Sequence, residues 1–139
     1  MSAEIAYLQD SLQQQDELLE LFEAQRRAFA ANPMPPAAQR QQWLKALQEL
    51  LNNERQALID AISQDFSNRS ADETLLAELM PSLHGIHYAS KHLKKWMKPS
   101  RRAVGLAFQP ASAKVVYQPL GVVGIIVPWN YPLYLCMGP

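Results

Sequence analysis

Cysteine is nearly absent from this sequence: among 139 residues there is one, Cys136, so no internal disulfide can form. A single thiol is typical of a protein that folds in a reducing compartment.

The sequence also has no excess of charge of either sign. Because 13 Lys and Arg balance 13 Asp and Glu, bulk attraction to nucleic acid or to an anionic membrane is not expected. Residues 1–23 carry six acidic side chains and no Lys or Arg, unlike a secretory leader. We therefore expect a cytoplasmic protein with no nucleic-acid partner.

The sequence also lacks a long hydrophobic run. About 18 uninterrupted apolar residues are needed to span a bilayer. The longest candidate, residues 122–139, is broken by Gly124, Pro128, Asn130 and Pro132, so no membrane segment is evident. The composition is that of a globular protein, with 48% hydrophobic and 19% charged residues. The length suits a single core.

Two helices with apolar residues at three- and four-residue steps are predicted in the first part of the chain. The first runs from Leu8 to Ala31 and ends at the proline-rich residues 32–36, because proline cannot donate to the helix ladder. Its apolar stripe is Leu8, Leu12, Leu19, Phe22 and Phe29. The second starts near Ala37, with an apolar face of Trp43, Leu44, Leu47, Leu50, Leu51, Leu58, Ile59 and Ile62. We interpret this second stripe as core or helix–helix contact, and docking of a partner protein is the alternative.

A third helix is predicted from a capping box at Ser70–Glu73, in which the serine and the glutamate would each bond an N-terminal amide of the helix. Pro81 lies inside this helix and should kink it, and Lys98–Pro99 should end it. Glu73 and Glu78 are too far apart for an α-helical pair, so both are interpreted as solvated. Six of the 13 Lys and Arg fall in residues 91–102, where the last carbonyls of a helix favour cations. A patch for a polyanion or a lipid headgroup is the alternative there.

After residue 100 the pattern changes from helical to β. Residues 104–108 and 114–117 are short β-prone runs joined by residues 109–112, which predicts a hairpin or an arm. Residues 122–127 are apolar on both faces, as in a fully buried strand of a parallel sheet. Such a sheet needs further strands and crossover helices. We therefore expect the chain to end inside a βα unit of a longer protein, with Pro132 opening a helix.

Chemistry is expected at the end of this buried strand. The strand would deliver Trp129 and Asn130 to its C-terminal edge, where ligands of open α/β sheets bind. Pro128 and Pro132 stiffen the turn, and between them the Asn130 amide is able to donate to a developing oxyanion. The alternative is that the Asn130 side chain only satisfies the backbone of the turn.

Residues 119–132 resemble the aldehyde dehydrogenase superfamily pattern P-x-G-V-x-x-x-I-x-P-W-N-[FY]-P. The upstream helices and the arm also resemble the N-terminal region of this superfamily, and residues 100–134 are similar to bacterial coniferyl aldehyde dehydrogenases, a branch near the class 3 enzymes. The resemblance implies an α/β fold with N-terminal helices and the start of a Rossmann-like parallel sheet. It divides the chain into a helical segment of the cofactor domain at 1–100, an oligomerisation arm at 101–119, and the first strand and turn of the dinucleotide-binding domain at 120–139.

The resemblance also assigns roles to three residues. Asn130 matches an asparagine whose amide helps to form the oxyanion hole, Trp129 a tryptophan beside the cofactor, and Val127 a position whose backbone lines the dinucleotide cleft. In the superfamily a cysteine thiolate attacks the aldehyde, hydride passes to NAD or NADP, and a glutamate-activated water hydrolyses the thioester. The resemblance puts that cysteine and that glutamate beyond residue 139, so the isolated chain is expected to be inactive. For the whole protein it implies a small-molecule aldehyde substrate and a homo-oligomer, either a dimer or a tetramer.

Three other residues that suggest a site are discounted. Cys136 matches an apolar helix position in the superfamily and has no charged neighbour, so we expect a buried, inert thiol. His84 and His87 have a spacing compatible with metal binding, but no cysteine or acid completes a set nearby, and no metal is expected. A non-catalytic, truncated helical interaction module remains the alternative function.

Overall fold

The structure, a computed structural model, describes the backbone of residues 3–139 and the side chains from residue 13 onward. Its helices are α1 (Ala3–Ala31), α2 (Ala37–Asn53), α3 (Arg55–Asp65), α4 (Ala71–Thr74), α5 (Met80–Trp96) and α6 (Pro132–Met137). A π-helical turn, Leu75–Leu79, joins α4 to α5, and a 3-10 turn covers Leu106–Phe108. The strands are β1 (Ser100–Arg102) and β2 (Ala113–Val115). Of the helices described, none combines the length and the apolar character needed to cross a membrane.

The chain forms two compact units, of which the smaller contains α1, the residues up to Met34, and Gln118–Gly124. Phe29 and Gly121 approach each other in this unit, because a Cβ placed on the glycine would lie 3.7 Å from the phenylalanine ring. Gly121 has a φ of +121°, a conformation that residues with a side chain rarely adopt. The backbone conformation itself therefore favours glycine at this position.

The apolar stripe predicted along α1 is largely uncovered within the smaller unit. Leu19 and Phe22 are exposed, and Phe29 is half-buried. Leu8 and Leu12, the other members of the predicted stripe, lie outside the described side chains. The helix ends at Ala31, as predicted, before the proline-rich segment.

The larger unit comprises Pro35–Tyr117 and Ile125–Pro139. Its core lies where α2 packs on α5 and α3 packs on α2 and α4. The buried apolar side chains are Leu51, Ile59, Ile62, Leu79 and Ile86. Three of them belong to the second predicted stripe, which is therefore partly core. Trp43 and Leu50 of the same stripe are exposed.

The second predicted helix is interrupted at Glu54, which separates α2 from α3. Glu54 has φ −91° and ψ 10°, outside the helical range. The hydrogen-bond ladder nevertheless continues: Glu54 N–H donates to the Leu50 carbonyl at 2.9 Å, and Leu58 N–H donates to the Glu54 carbonyl at 2.9 Å. The interruption is thus local. It follows two asparagines at 52–53, a residue type whose side chain competes for helical backbone bonds.

The third predicted helix is irregular just before Pro81, where the π-helical turn lies. Proline has no N–H to give to the carbonyl four residues earlier. The Met80 N–H bonds the Leu75 carbonyl, five residues back, which widens the turn. Pro81 then falls in the first turn of α5, where no intrahelical donor is required. The disturbance expected from Pro81 is therefore taken up by the turn that precedes it.

β1 and β2 pair antiparallel, with Ser100 opposite Val115, Arg101 opposite Lys114 and Arg102 opposite Ala113. A paired arm is thus present, but its strands differ from the predicted runs. The 3-10 turn occupies most of the run predicted at 104–108, and the second strand ends before residue 116. Gly105 and Pro110 lie in the connection, and both residue types weaken a strand ladder.

The buried strand predicted at 122–127 is not a strand in the described chain, and residues 3–139 contain no parallel sheet. Ile126 is 101% exposed, and Val123 and Ile125 are exposed as well. The physical reason is that a lone strand has no neighbour to accept and donate its backbone hydrogen bonds. The observed fold is mostly helical with one two-stranded sheet. The Rossmann-like sheet stays a prediction, whereas the helix opened by Pro132 is confirmed.

Candidate functional site

The turn that leads into α6 carries the three residues predicted to form a site. Val127 is half-buried, Asn130 is exposed, and Trp129 is 87% exposed. The Asn130 side-chain amide makes no hydrogen bond to a described residue. Its backbone carbonyl, in contrast, accepts a hydrogen bond from Arg69 Nη2 at 2.6 Å. The turn is therefore held through its main chain, and the amide is uncommitted among the described residues.

The N-terminus of α6 is bound by a carboxylate from the π-helical turn. The first N–H groups of a helix have no partner inside the helix, and Pro132 at the first position has no N–H to satisfy. Glu78 Oε2 accepts hydrogen bonds from Leu133 N–H at 2.7 Å and from Tyr134 N–H at 3.2 Å. A negative charge is favourable here because the helix dipole is positive at this end.

Arg69 connects this carboxylate to the turn. Its Nη1 donates to Glu78 Oε1 at 3.1 Å, while its Nη2 donates to the Asn130 carbonyl at 2.6 Å. The Glu78 side chain is 0% exposed and the Arg69 side chain 11% exposed. Hydrogen bonds to a charged partner are shorter and stronger than neutral ones. The chain from the Asn130 carbonyl to the start of α6 is thus tied to one ion pair.

Aromatic rings and a second carboxylate enclose the guanidinium of Arg69. Its central carbon lies 4.1 Å from the centroid of the Phe66 ring and 5.2 Å from that of Tyr131, both within the range of cation–π attraction. Its Nε lies 3.8 Å from Glu73 Oε1, an oxygen that also accepts from the Tyr131 hydroxyl at 3.5 Å. These contacts hold the arginine in one orientation.

A left-handed turn after α3 leads the chain into Arg69. Ser67 and Asn68 have φ values of 55° and 72°. Asparagine tolerates this conformation better than most residues. The Asn68 N–H donates to the Ser63 carbonyl at 2.8 Å and so closes the end of the helix. The backbone thereby reverses immediately before the arginine.

The π-helical turn explains how two glutamates reach the same arginine. In an α-helix, residues five apart would lie about 140° apart around the axis. The wider turn reduces that separation, so that Glu73 and Glu78 both contact Arg69. The prediction that both glutamates are solvated is wrong for Glu78, because the prediction assumed α-helical spacing throughout.

The predicted capping box is also wrong. Ser70 makes no side-chain hydrogen bond to the start of α4. Glu73, its expected partner, is instead engaged by Arg69 and Tyr131. Sequence reasoning missed both charged residues of the buried pair. The sequence did contain a signal for this pair. Arg69 is followed by two glutamates, and Pro81, which disturbs regular helical spacing, comes three residues after the second glutamate.

Cys136 is exposed in the described chain, so the expectation of a buried thiol is wrong. Its neighbours Leu135 and Met137 are half-buried, which shows that α6 turns its apolar flanks inward and leaves the thiol on the open face. His84 and His87 are both exposed on α5. Among the residues that the structure describes, no group of three or more His, Cys, Asp or Glu is placed to hold a metal ion.

The arrangement presents the Asn130 amide as a hydrogen-bond donor on a turn whose main chain is held. A primary amide donates without changing its own protonation, which suits it to stabilise negative charge rather than to move a proton. The adjacent indole of Trp129 offers a large exposed apolar face. The chemistry that this turn supports is therefore binding and polarisation.

Comparison with known proteins gives a consistent result. Residues 3–139 match the model of the aldehyde dehydrogenase family. A probable coniferyl aldehyde dehydrogenase of Pseudomonas aeruginosa is 72% identical over 139 residues, which is all of this chain and 29% of that relative. The coniferyl aldehyde dehydrogenase of a Pseudomonas species is 44% identical over 95 residues, covering 68% of this chain and 19% of the relative. Aldehyde dehydrogenase family 3 member B1 of Bos taurus is 36% identical over 124 residues, covering 89% and 26%. The chain therefore spans less than a third of the length of these relatives.

Proposed function

Because the chain belongs to the aldehyde dehydrogenase family, we propose that the protein containing it oxidises an aldehyde to the carboxylic acid through a cysteine thiohemiacetal, with NAD or NADP as the hydride acceptor. Relatives named for coniferyl aldehyde support an aromatic aldehyde of that kind as the substrate. The nucleophilic cysteine and the general base come from outside these 139 residues. The 139-residue chain alone is inactive.

Asn130 is the residue to which we assign a role in this reaction. When a thiolate adds to an aldehyde, the carbonyl oxygen becomes negatively charged, and a preorganised donor lowers the energy of that state. The observation that supports the assignment is the uncommitted side-chain amide on a turn whose main chain is tied to a buried ion pair. The backbone that carries the donor is thus already fixed before the charge develops, which limits the reorganisation that the donor requires.

Val127 and Trp129, which precede Asn130 in the turn, are the residues to which we assign contact with the cofactor. Val127 is half-buried and the Trp129 ring is exposed, so the indole is available to pack against a planar group. A bound nicotinamide cofactor supplies the acceptor for the hydride. In this proposal the backbone at Val127 lines the dinucleotide cleft and Trp129 packs at its edge.

Segments whose apolar side chains are exposed in the described chain have a place in the proposed whole protein. Residues 120–139 contribute the first strand and turn of a Rossmann-like parallel sheet, and the exposed side chains of Val123, Ile125 and Ile126 are those that such a sheet would bury. Residues 1–100 pack as helices on that domain. The arm at 101–119, with its antiparallel pair, serves oligomerisation into a dimer or tetramer.

The test of this proposal is an activity assay on the full-length protein. Purified protein is mixed with coniferyl aldehyde and either NAD or NADP, and reduced nicotinamide is followed over time. Steady production is expected, with lower kcat/KM for a short aliphatic aldehyde. The 139-residue chain, assayed in parallel at the same concentration, should give none. Absence of turnover by the full-length protein with both cofactors and both aldehydes would contradict the proposal.

A further inference from the structure

We propose that Glu78 and Arg69 are positioning residues that set the orientation of the Asn130 amide and, through it, the rate of aldehyde oxidation. The inference rests on the function proposed for Asn130. It concerns an ion pair whose side chains are 0% exposed for Glu78 and 11% exposed for Arg69, and whose arginine contacts the main chain of the turn.

Two anchors hold the main chain that follows the Asn130 Cα. The first is the hydrogen bond from Arg69 Nη2 to the carbonyl of Asn130 itself, at 2.6 Å. The second is the pair of bonds from the amides of Leu133 and Tyr134 to Glu78 Oε2, at 2.7 and 3.2 Å. Because the carbonyl of Asn130 and the helix start that follows it are both fixed, the main chain from Asn130 to Tyr134 is held, and the direction of the Asn130 Cα–Cβ bond is constrained as well. A misplacement of about 1 Å at a reacting centre can cost about 100-fold in rate.

The anchors are stiff because they involve charged groups and because the Glu78 side chain is fully buried. Glu78 uses both oxygens, one for Arg69 and the other for the start of α6. Arg69 uses separate nitrogens for Glu78 and Asn130, which the rigid fork of a guanidinium allows. The ammonium of a lysine is a single nitrogen on a flexible stem. Replacing Arg69 by lysine should therefore keep the charge beside Glu78 while loosening the hold on Asn130.

A purely structural ion pair would not need this geometry. The shortest of the hydrogen bonds made by Arg69 goes to the residue that carries the amide, not to a helix end or a core segment. The wider π-helical turn that brings Glu78 inward also places its carboxylate at α6, directly after the Trp129–Asn130 turn. The arginine bond and the glutamate bonds therefore both act on the short segment from Asn130 to Tyr134.

The experiment compares variants of the full-length protein. Arg69→Lys and Glu78→Gln should lower kcat by about 10- to 100-fold. The cofactor KM should change by less than about twofold, since the hydrogen bonds of these two side chains do not involve Val127 or Trp129. Glu49→Gln is the matched control, because it removes the same charge from the exposed Lys45–Glu49 pair on α2, and it should leave kcat unchanged. Circular dichroism and thermal melting report whether each variant is folded. If Glu78→Gln does not fold, Arg69→Lys decides the question.

A double-variant cycle separates positioning from general destabilisation. If the ion pair acts through Asn130, then adding Arg69→Lys to Asn130→Ala should slow kcat by no more than about twofold beyond Asn130→Ala alone. Losses that multiply, or a kcat for Arg69→Lys equal to that of Glu49→Gln, would overturn the positioning role. A failure of the proposed function is distinguishable, because Asn130→Ala alone would then leave kcat unchanged.

Discussion

Removal of the Glu78 carboxylate should destabilise α6 far more than removal of a carboxylate from the surface. Glu78→Ala deletes the acceptor of three hydrogen bonds, from Arg69 Nη1, Leu133 N–H and Tyr134 N–H. It also leaves the side chain of Arg69, which is 11% exposed, without its closest carboxylate. Breaking a buried ion pair by deleting one partner typically costs about 3–5 kcal/mol.

The three lost bonds should not be summed separately. Bonds to a charged group are worth about 1.5–3 kcal/mol each, but they share one carboxylate and their losses are not additive. Arg69 also keeps Glu73 at 3.8 Å and the Asn130 carbonyl at 2.6 Å, which limits the loss. We therefore expect a cost of about 3–5 kcal/mol, whereas Glu49→Ala at the exposed Lys45–Glu49 pair should cost about 0–1 kcal/mol.

Hydrogen exchange measured by mass spectrometry on the full-length protein is the appropriate assay, because local opening is read segment by segment. A loss of about 3 kcal/mol corresponds to exchange that is about 100-fold faster, since each 1.4 kcal/mol is a factor of ten. That acceleration should be found in peptides covering residues 131–138 and not in those covering α2. Unchanged exchange at 131–138 in Glu78→Ala, or an equal acceleration in Glu49→Ala, would refute the reasoning.

Three further outcomes follow from the described side chains. Thr74→Val should raise the melting temperature of the full-length protein, because the Thr74 hydroxyl is buried without a hydrogen-bond partner among the described residues. Its control, Ser82→Ala, should lower stability by about 0.5–1.5 kcal/mol, since it removes a 2.6 Å bond to the Glu78 carbonyl; equal losses in the two variants would contradict this. Trp129→Ala should raise the cofactor KM and leave kcat nearly unchanged, and a fall in kcat alone would count against its place at the cofactor edge. The isolated 139-residue chain should self-associate through exposed apolar residues such as Ile126; light scattering from a monodisperse monomer with a sharp melt would disprove that.

Helix positions were predictable from the sequence because they depend on local periodicity and on proline. The C-terminal end of α1 and the start of α2 follow from the proline-rich segment at 32–36, and α6 begins at Pro132 as expected. The start of α1 does not follow, because the helix begins at Ala3 and not at the predicted Leu8. The buried residues Leu51, Ile59 and Ile62 follow from the three- and four-residue steps of their stripe. These features need no knowledge of what else folds nearby.

The buried ion pair was not predictable in the same way. Whether Glu78 faces solvent or core depends on a single wide turn, and that turn arises from Pro81 and from packing rather than from helical propensity. The capping box failed for a related reason, since Arg69 competes for the carboxylate of Glu73. A pattern based on regular α-helical spacing cannot represent such competition.

Residues 122–127 illustrate a different limit. Their apolar pattern indicates a buried strand, but a strand exists only with its neighbours, and none of the described residues pairs with this segment. The same holds for Cys136, whose apolar surroundings in sequence indicated burial although α6 leaves it exposed. Burial of these segments depends on what packs against them, which their own sequence does not contain.

The most direct test of the central claim is the steady-state rate of Asn130→Ala in the full-length protein. A donor aimed at the thiohemiacetal oxygen acts mainly after charge has developed, so its loss should lower kcat by about 100- to 1000-fold while the apparent cofactor KM changes little. Asn130→Asp should be slower still, because it sets a carboxylate against the oxyanion. If Asn130→Ala instead left kcat within about threefold of the parent and only lowered the melting temperature, the amide would be a structural part of the turn, contrary to the role proposed for it.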